Sequence, residues 1–131
     1  MNKEDKELLL RDLCNRLPYN VMCQVEFKED GKYNSKVMLL SGIFTDEAYF
    51  TTKGGSIYSN EYKPYLFPLS SMTEEEERTL DSMCNGVEMV GRLSGLKMFD
   101  KAFNWLNENH FDYRGLIEKG LAIDATDKNI Y

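Results

Sequence analysis

The sequence is poor in the residues that mark metal sites, disulfide scaffolds and membrane spans. It has one histidine and three cysteines without CxxC spacing, at positions Cys14, Cys23 and Cys84. An odd number of scattered cysteines argues against a disulfide framework and a zinc site, and favours reduced thiols. No apolar run approaches the roughly 20 residues that cross a bilayer. We therefore expect no metal, no cofactor and no contact with a membrane.

Basic residues are also in short supply. Lys and Arg total 16 against 22 Asp and Glu, which gives a net charge of −6. General nucleic-acid binding needs a basic face that neutralises phosphates, so this balance argues against it. An acidic surface is still suited to docking on a basic partner protein. The first residues, MNKEDKELLLRDL, are too charged for a secretory signal, and we expect a cytoplasmic protein.

Motifs for catalysis are missing as well. The chain contains no GxxxxGK[ST] phosphate loop, no GxGxxG and no nucleophile elbow. The only histidine, His110, lies beside Asp112, Tyr113 and Arg114, where it could act as a general base with an orienting carboxylate. In the competing interpretation Asp112 caps a helix and His110 is a junction residue. Catalysis usually needs several convergent groups, so we expect a non-enzymatic protein without catalytic residues.

What is present is sufficient for one folded domain. A chain of 131 residues with 42% hydrophobic residues can bury a single core. Residues 1–131 are predicted to form one domain in three parts. These are an N-terminal helix in 1–19, a small β-barrel or meander in 20–70, and a helical part in 71–131.

Short strands are predicted after the first helix. Asn2 is a candidate cap for a helix over 3–14, and Pro18 prevents its continuation. Apolar and polar residues then alternate in NVMCQVEFK, and three more short strands follow in KVMLLSGIF, EAYFTT and SIYS. Strands this short are not stable alone. We expect an α+β fold, with a small curved antiparallel sheet or SH3-like barrel over residues ~20–67, packed with an N-terminal helix and three C-terminal helices.

The stretch KPYLFPLSSMTEEEE changes abruptly from extended to helical. Its two prolines favour an extended chain, either as an edge strand or as a strap across the barrel. Thr73 and Glu76 have the spacing of a capping box, and the glutamates that begin at Glu74 suit the positive end of a helix. The acidic run is therefore explained without a ligand.

The C-terminal part contains the strongest helical pattern. In SGLKMFDKAFNWLNENHF, apolar residues recur at spacings of three and four, and Ser94 is a candidate cap. Leu96, Phe99, Phe103 and Leu106 form the predicted apolar face. Asn109 is expected to end this helix, and a short helix capped by Asp112 is expected to stop at Gly120. VEMVGRL, over 87–93, favours a short strand.

Three stretches together resemble a known group of proteins. DLCNRLPYNV, KPYLFPLSSMTEEE and WLNENHFDYRGLIEKGLAI are similar to small proteins encoded in Bacteroidetes genomes, their prophages and phages of gut bacteria. That group has no assigned activity, so the resemblance implies a mobile-element setting and no particular reaction. The chain departs from the pattern at Asn20, where glycine is usual, and at Phe67, where arginine is usual. Asparagine also tolerates positive φ, so the turn at Asn20 is expected to form.

Four residues in the recognisable stretches are candidates for ligand binding: Lys63, Tyr65, Tyr113 and Arg114. Aromatic faces stack on bases, and Lys and Arg hold phosphate, so this set would suit a small nucleotide. The chain has eight tyrosines and seven phenylalanines, and simple packing is the competing interpretation.

The sequence leaves three functions open. The first is a non-enzymatic phage or prophage binding protein, an antagonist of host defence that sequesters a small nucleotide signal or blocks a defence protein. The second is a structural or assembly accessory protein that forms homo-oligomers through its amphipathic helices. The third is a nucleic-acid-associated small barrel, which the net charge disfavours.

Overall fold

The computed structural model describes residues 1–44, 47–85 and 91–131. Within these ranges the protein is an α+β fold of three α-helices and a seven-stranded mixed sheet. The helices are α1 (Lys3–Arg16), α2 (Glu74–Cys84) and α3 (Arg92–Glu108). The strands are β1 (Met22–Glu29), β2 (Lys32–Ile43), β3 (Ala48–Thr52), β4 (Gly55–Ser59), β5 (Glu61–Pro68), β6 (Phe111–Asp112) and β7 (Ile123–Asp124).

The start and the end of α1 follow from its local sequence. The Asn2 side chain accepts a hydrogen bond from the Asp5 N–H at 2.8 Å and caps the helix. Pro18 lies in the 3₁₀ turn Leu17–Tyr19 that follows α1. Asn20 has a φ of 58°, so the left-handed turn expected there is formed.

The sheet is open, and the prediction of an SH3-like barrel is therefore wrong. Its strand order is β4-β3-β2-β1-β5-β6, with β7 also paired to β5, and β1 to β5 form antiparallel pairs as predicted. The Ser59 hydroxyl at the end of β4 donates to the Glu26 carbonyl in β1 at 2.6 Å, so the sheet curves back on itself. It does not close: β4 stands at one end of the strand order and β6 at the other, and β5 continues into parallel pairs with β6 and β7.

The proline-rich stretch forms β5 and lies inside the sheet. It is neither an edge strand nor a strap, because the strand order places it between β1 and β6. Residues 61–64 pair with β1, Tyr65 and Leu66 pair with β7, and Phe67 and Pro68 pair with β6. This central position buries Leu66 completely.

The predicted boundaries of α2 and α3 are largely confirmed. The Thr73 hydroxyl accepts from the Glu76 N–H at 3.1 Å, and the Glu76 carboxylate accepts from the Thr73 N–H at 3.0 Å, which completes the capping box. Asn109 is the C-terminal cap of α3. The helix begins at Arg92 with Gly91 as its cap, so the prediction of Ser94 as cap is wrong.

The third C-terminal helix is not formed, so the described residues contain two helices after the sheet. Asp112 does cap, since its carboxylate accepts from the N–H groups of Leu116 and Ile117 at 2.9 and 3.0 Å. The segment that follows consists of turns, because Gly115 and Gly120 have φ values of 74° and 75°. The strand expected at 87–93 falls partly outside the described residues, and its last two residues begin α3.

One hydrophobic core joins α1, the sheet and the C-terminal turns. Leu13, Val25, Phe50, Leu66 and Leu116 are completely buried in it. By contrast, α2 contributes no buried residue, although it packs against α3. Neither α2 nor α3 contributes a residue to this core.

Candidate functional site

The four predicted ligand-binding residues lie on two separate elements. Lys63 and Tyr65 belong to β5, whereas Tyr113 and Arg114 directly follow β6. Lys63 is exposed and lies opposite Gln24 of β1. Tyr65 is only 7% exposed, and its hydroxyl donates to Gln24 Oε1 at 3.4 Å. The ring of Tyr65 is therefore packed, with little surface for stacking on a base.

Tyr113 and Arg114 are brought together by the structure, but they contact the protein itself. The Tyr113 hydroxyl donates to Asn107 Oδ1 at 2.9 Å. Its ring centroid lies 5.1 Å from the Arg114 guanidinium carbon and 5.3 Å from that of Arg16. The ring of Phe103 approaches it at 5.2 Å. The aromatic surface of Tyr113 is thus already occupied by two cations and a phenyl ring.

A buried ion pair lies beneath this tyrosine. Arg16 Nε donates to Asp12 Oδ2 at 2.7 Å, and Nη2 donates to Oδ1 at 3.1 Å, with both side chains fully buried. Nη2 also donates to the Phe111 carbonyl at 2.6 Å. Arg114 Nε lies 3.3 Å from Asp12 Oδ1, close enough for charge attraction but without hydrogen-bond geometry. We call these four residues the arginine junction: Asp12, Arg16, Tyr113 and Arg114.

The arginine junction connects α1 to the chain that follows α3. Removing the charges of Asp12 and Arg16 from water costs free energy. The two hydrogen bonds between guanidinium and carboxylate, with the Phe111 carbonyl as a third acceptor, offset that cost. Asp12 and Arg16 were not among the predicted site residues. Their spacing of four residues in DLCNR signals an ion pair on one helix face, but such pairs are usually exposed. Nothing in the local sequence indicates that this one is buried.

His110 is held in a packed position next to the arginine junction. Its φ is 62°, its ring stacks on Tyr131 with centroids 3.7 Å apart, and its Nδ1 is buried without a hydrogen-bond partner. Burial, and secondarily the charge of Arg16, lowers the pKa of His110 to about 4. The imidazole is therefore neutral near pH 7. Asp112 does not orient it, because both carboxylate oxygens accept backbone N–H groups.

Tyr131 links the same region to the sheet. Its hydroxyl accepts from the Met22 N–H at 2.9 Å and donates to the Tyr65 carbonyl at 2.7 Å. Burial of the hydroxyl raises the pKa of Tyr131. Together with the stacked His110, this contact fastens the end of the described chain across β1 and β5.

Two surface recesses lie elsewhere, and none of the four predicted residues lines them. One has a volume of about 400 Å³ and is lined by Glu26, Tyr33, Asn34, Ser35 and Glu61. The other has a volume of about 510 Å³ and is lined by Arg78, Asp81, Ser82, Cys84 and Asn85. In the first recess Glu26 and Glu61 are direct cross-strand partners, and two carboxylates side by side disfavour a phosphate.

The described ranges hold neither a metal-binding cluster nor a membrane-spanning helix. No group of three or more His, Cys, Asp or Glu side chains is arranged there to hold a metal ion. No helix in those ranges has the length and apolar character needed to cross a bilayer.

The most unusual surface of the described chain is on α3. Four large apolar side chains project from it with exposed fractions of 68, 60, 43 and 45% for Leu93, Leu96, Phe99 and Phe103. Their spacings of three and four residues place them along one side of the helix. We call them the α3 row. The buried side of α3 consists instead of Gly95, Ala102, Leu106 and Asn107.

The apolar face predicted for α3 does not face the core as a whole. Leu96, Phe99, Phe103 and Leu106 recur as one helical stripe, but Leu106 is the only one of them that is buried. The periodicity identifies the helix and leaves open which part of a wide apolar stripe faces the core. Contiguous exposed apolar side chains of this size are typical of interaction surfaces.

No protein-family model, curated protein or solved structure matches the chain, and its function is therefore inferred from its own geometry.

Proposed function

We propose that this chain is a non-enzymatic binding protein that acts through protein contact, and that the α3 row joins two copies of the chain. The observation that carries the proposal is the α3 row itself. Leucine and phenylalanine are among the residues most often buried, yet four of them in succession along one side of α3 are 43–68% exposed. A second protein surface would remove them from water.

The packing of α2 supports a partner protein on the exposed side of α3. A helix is stable when its apolar stripe is covered by another element. α2 packs against α3 without burying any residue of its own, and the buried side of α3 consists of Gly95, Ala102, Leu106 and Asn107. The four side chains of the α3 row lie outside that buried side. A second pair of helices of the same kind would supply the cover, as in a four-helix arrangement.

The composition of the α3 row supports a second copy as the partner. Along the helix the order is Leu, Leu, Phe, Phe, so a reversed copy presents a phenyl ring to each leucine. Lys97 and Asp100, which flank the row, have opposite charges and are both exposed. Such a surface is complementary to itself under two-fold symmetry.

The phage or prophage setting implied by the resemblance supplies a context, and antagonism of host defence stays a prediction. Of its two forms, blocking a defence protein fits an account based on protein contact. Sequestration of a small nucleotide has less support, because Tyr113 and Arg114 are engaged with Asn107, Asp12 and each other. The acidic recess at Glu26 and Glu61 is also unsuited to phosphate.

The proposal is tested by comparing two matched variants in solution. Leu96→Glu places a charge in the centre of the α3 row, whereas Leu69→Glu changes another exposed leucine, 45% exposed, outside α3. Size-exclusion chromatography with light scattering at rising concentration should give a dimer for the unaltered chain and for Leu69→Glu, and a monomer for Leu96→Glu. Circular dichroism spectra should agree for all three. An equal response of the two variants would overturn the proposal.

A further inference from the structure

We infer that the two copies pair through α3 in antiparallel orientation, with Lys97 of each copy facing Asp100 of the other. This inference rests on the proposed function and specifies the geometry of the same surface. It assigns Lys97 and Asp100 the role of setting the orientation, while the α3 row supplies the apolar contact.

The length and order of the α3 row define where the two-fold axis must cross. From Leu93 to Phe103 the row spans about 15 Å at 1.5 Å per residue. An axis level with residue 98, the midpoint, places Leu93 of one copy opposite Phe103 of the other. It also brings Leu96 and Phe99 of both copies to the centre. All four apolar side chains of each copy are then covered at once.

The charged residues beside the α3 row distinguish the antiparallel orientation from the parallel one. Asp100 lies next to the row and Lys97 lies further out on the same side, because residues three apart are neighbours on a helix. Both are exposed, and the ion pairs of the described residues involve neither of them. The nearest polar partner of Asp100 is Asn104, whose Nδ2 donates at 3.4 Å. Lys97 and Asp100 are therefore available to a second copy.

An antiparallel two-fold pairing brings the same flank of both helices together. With the axis level with residue 98, Asp100 of one copy lies level with residue 96 of the other, one position from Lys97. The long lysine side chain covers that distance, and symmetry forms the pair twice. A parallel two-fold pairing would instead place the flank that carries Lys97 and Asp100 on opposite sides of the contact, so that neither residue could reach its counterpart on the other copy. The charge pattern therefore selects the antiparallel form.

The test uses charge reversal, because reversed variants should fail alone and pair with each other. Lys97→Glu leaves two acidic residues at this flank, and Asp100→Lys leaves two basic ones. Sedimentation equilibrium should show that each variant alone dissociates about tenfold more readily than the unaltered chain, because two exposed ion pairs are replaced by like charges. An equimolar mixture of the two should form mixed dimers, and the double variant should dimerise as the unaltered chain does.

Orientation is measured by cross-linking in a background that carries Cys14→Ser and Cys84→Ser. A mixture of Leu93→Cys and Phe103→Cys chains should form a disulfide-linked pair, whereas Leu93→Cys alone should not. A monomer at every concentration would overturn the proposed function and this inference together. Two results would overturn only this inference: a dimer whose dissociation is unchanged by charge reversal, or a dimer that cross-links through Leu93→Cys alone.

Discussion

The guanidinium of Arg16 donates to both carboxylate oxygens of Asp12, one helical turn earlier in α1, and neither side chain has any exposed surface. The same guanidinium donates to the Phe111 carbonyl, next to the turn that carries His110. This pair therefore fixes α1 against the segment that leads from α3 to β6.

Removing Asp12 should be strongly destabilising. Asp12→Ala leaves the Arg16 charge buried without its carboxylate, and we expect a loss of about 3–5 kcal/mol in the free energy of unfolding. Glu7→Ala, at an exposed position on the same helix, should change it by less than about 0.5 kcal/mol. Urea denaturation followed by circular dichroism measures both. A loss below about 1 kcal/mol for Asp12→Ala would mean that the pair does not hold α1 in place.

His110 should make the fold sensitive to mild acid. Its pKa is about 4 in the folded protein against 6.5 for the free group, so the unfolded chain takes up the proton first as the pH falls. The contribution of the neutral His110 to the free energy of unfolding is fully present above about pH 6.5 and is lost as the pH falls from about 6.5 to about 4. We expect a loss of about 1–2 kcal/mol, because solvent reaches part of the ring.

The matched variant for this prediction is His110→Asn. Asparagine accepts the φ of 62° at this position and does not titrate. Unfolding free energies measured in urea at several pH values should therefore fall less steeply for the variant between about pH 6.5 and 4. Parallel curves for the two proteins would show that His110 is not the acid-sensitive group.

The three cysteines should differ in reactivity according to their burial. Cys14 is exposed, Cys84 is half-buried, and Cys23 is fully buried in the core. Burial, followed by the nearby charge of Asp12, raises the pKa of the Cys23 thiol. With an aromatic disulfide reagent, Cys14 and Cys84 should react in the native protein, and Cys23 on the order of a hundredfold more slowly. Rapid labelling of Cys23, located by peptide mass spectrometry, would contradict this packing.

Features decided by neighbouring residues were predictable from the sequence. The Asn2 cap, the Thr73–Glu76 capping box and the antiparallel strands from β1 to β4 depend on short-range patterns, and all are formed. The missing third C-terminal helix also has a local cause. Gly115, three residues after Asp112, adopts a positive φ, so Asp112 caps a turn instead of a helix.

Features decided by distant contacts were not predictable. The sheet is open and is extended by residues 111–112 and 123–124, which lie far along the chain and pair with β5. Burial of Asp12 and Arg16 depends on a carbonyl 95 positions after Arg16. The apolar stripe of α3 is wide enough to face the core in two ways. Only tertiary packing decides that Ala102 and Leu106 are buried while Leu96 and Phe103 are exposed.

The central claim is that the α3 row joins two copies of the chain, and sedimentation equilibrium of the unaltered protein tests it most directly. We predict a weight-average mass that rises with concentration from 15.2 kDa towards twice that value. A mass that stays at 15.2 kDa up to several hundred micromolar would contradict the claim.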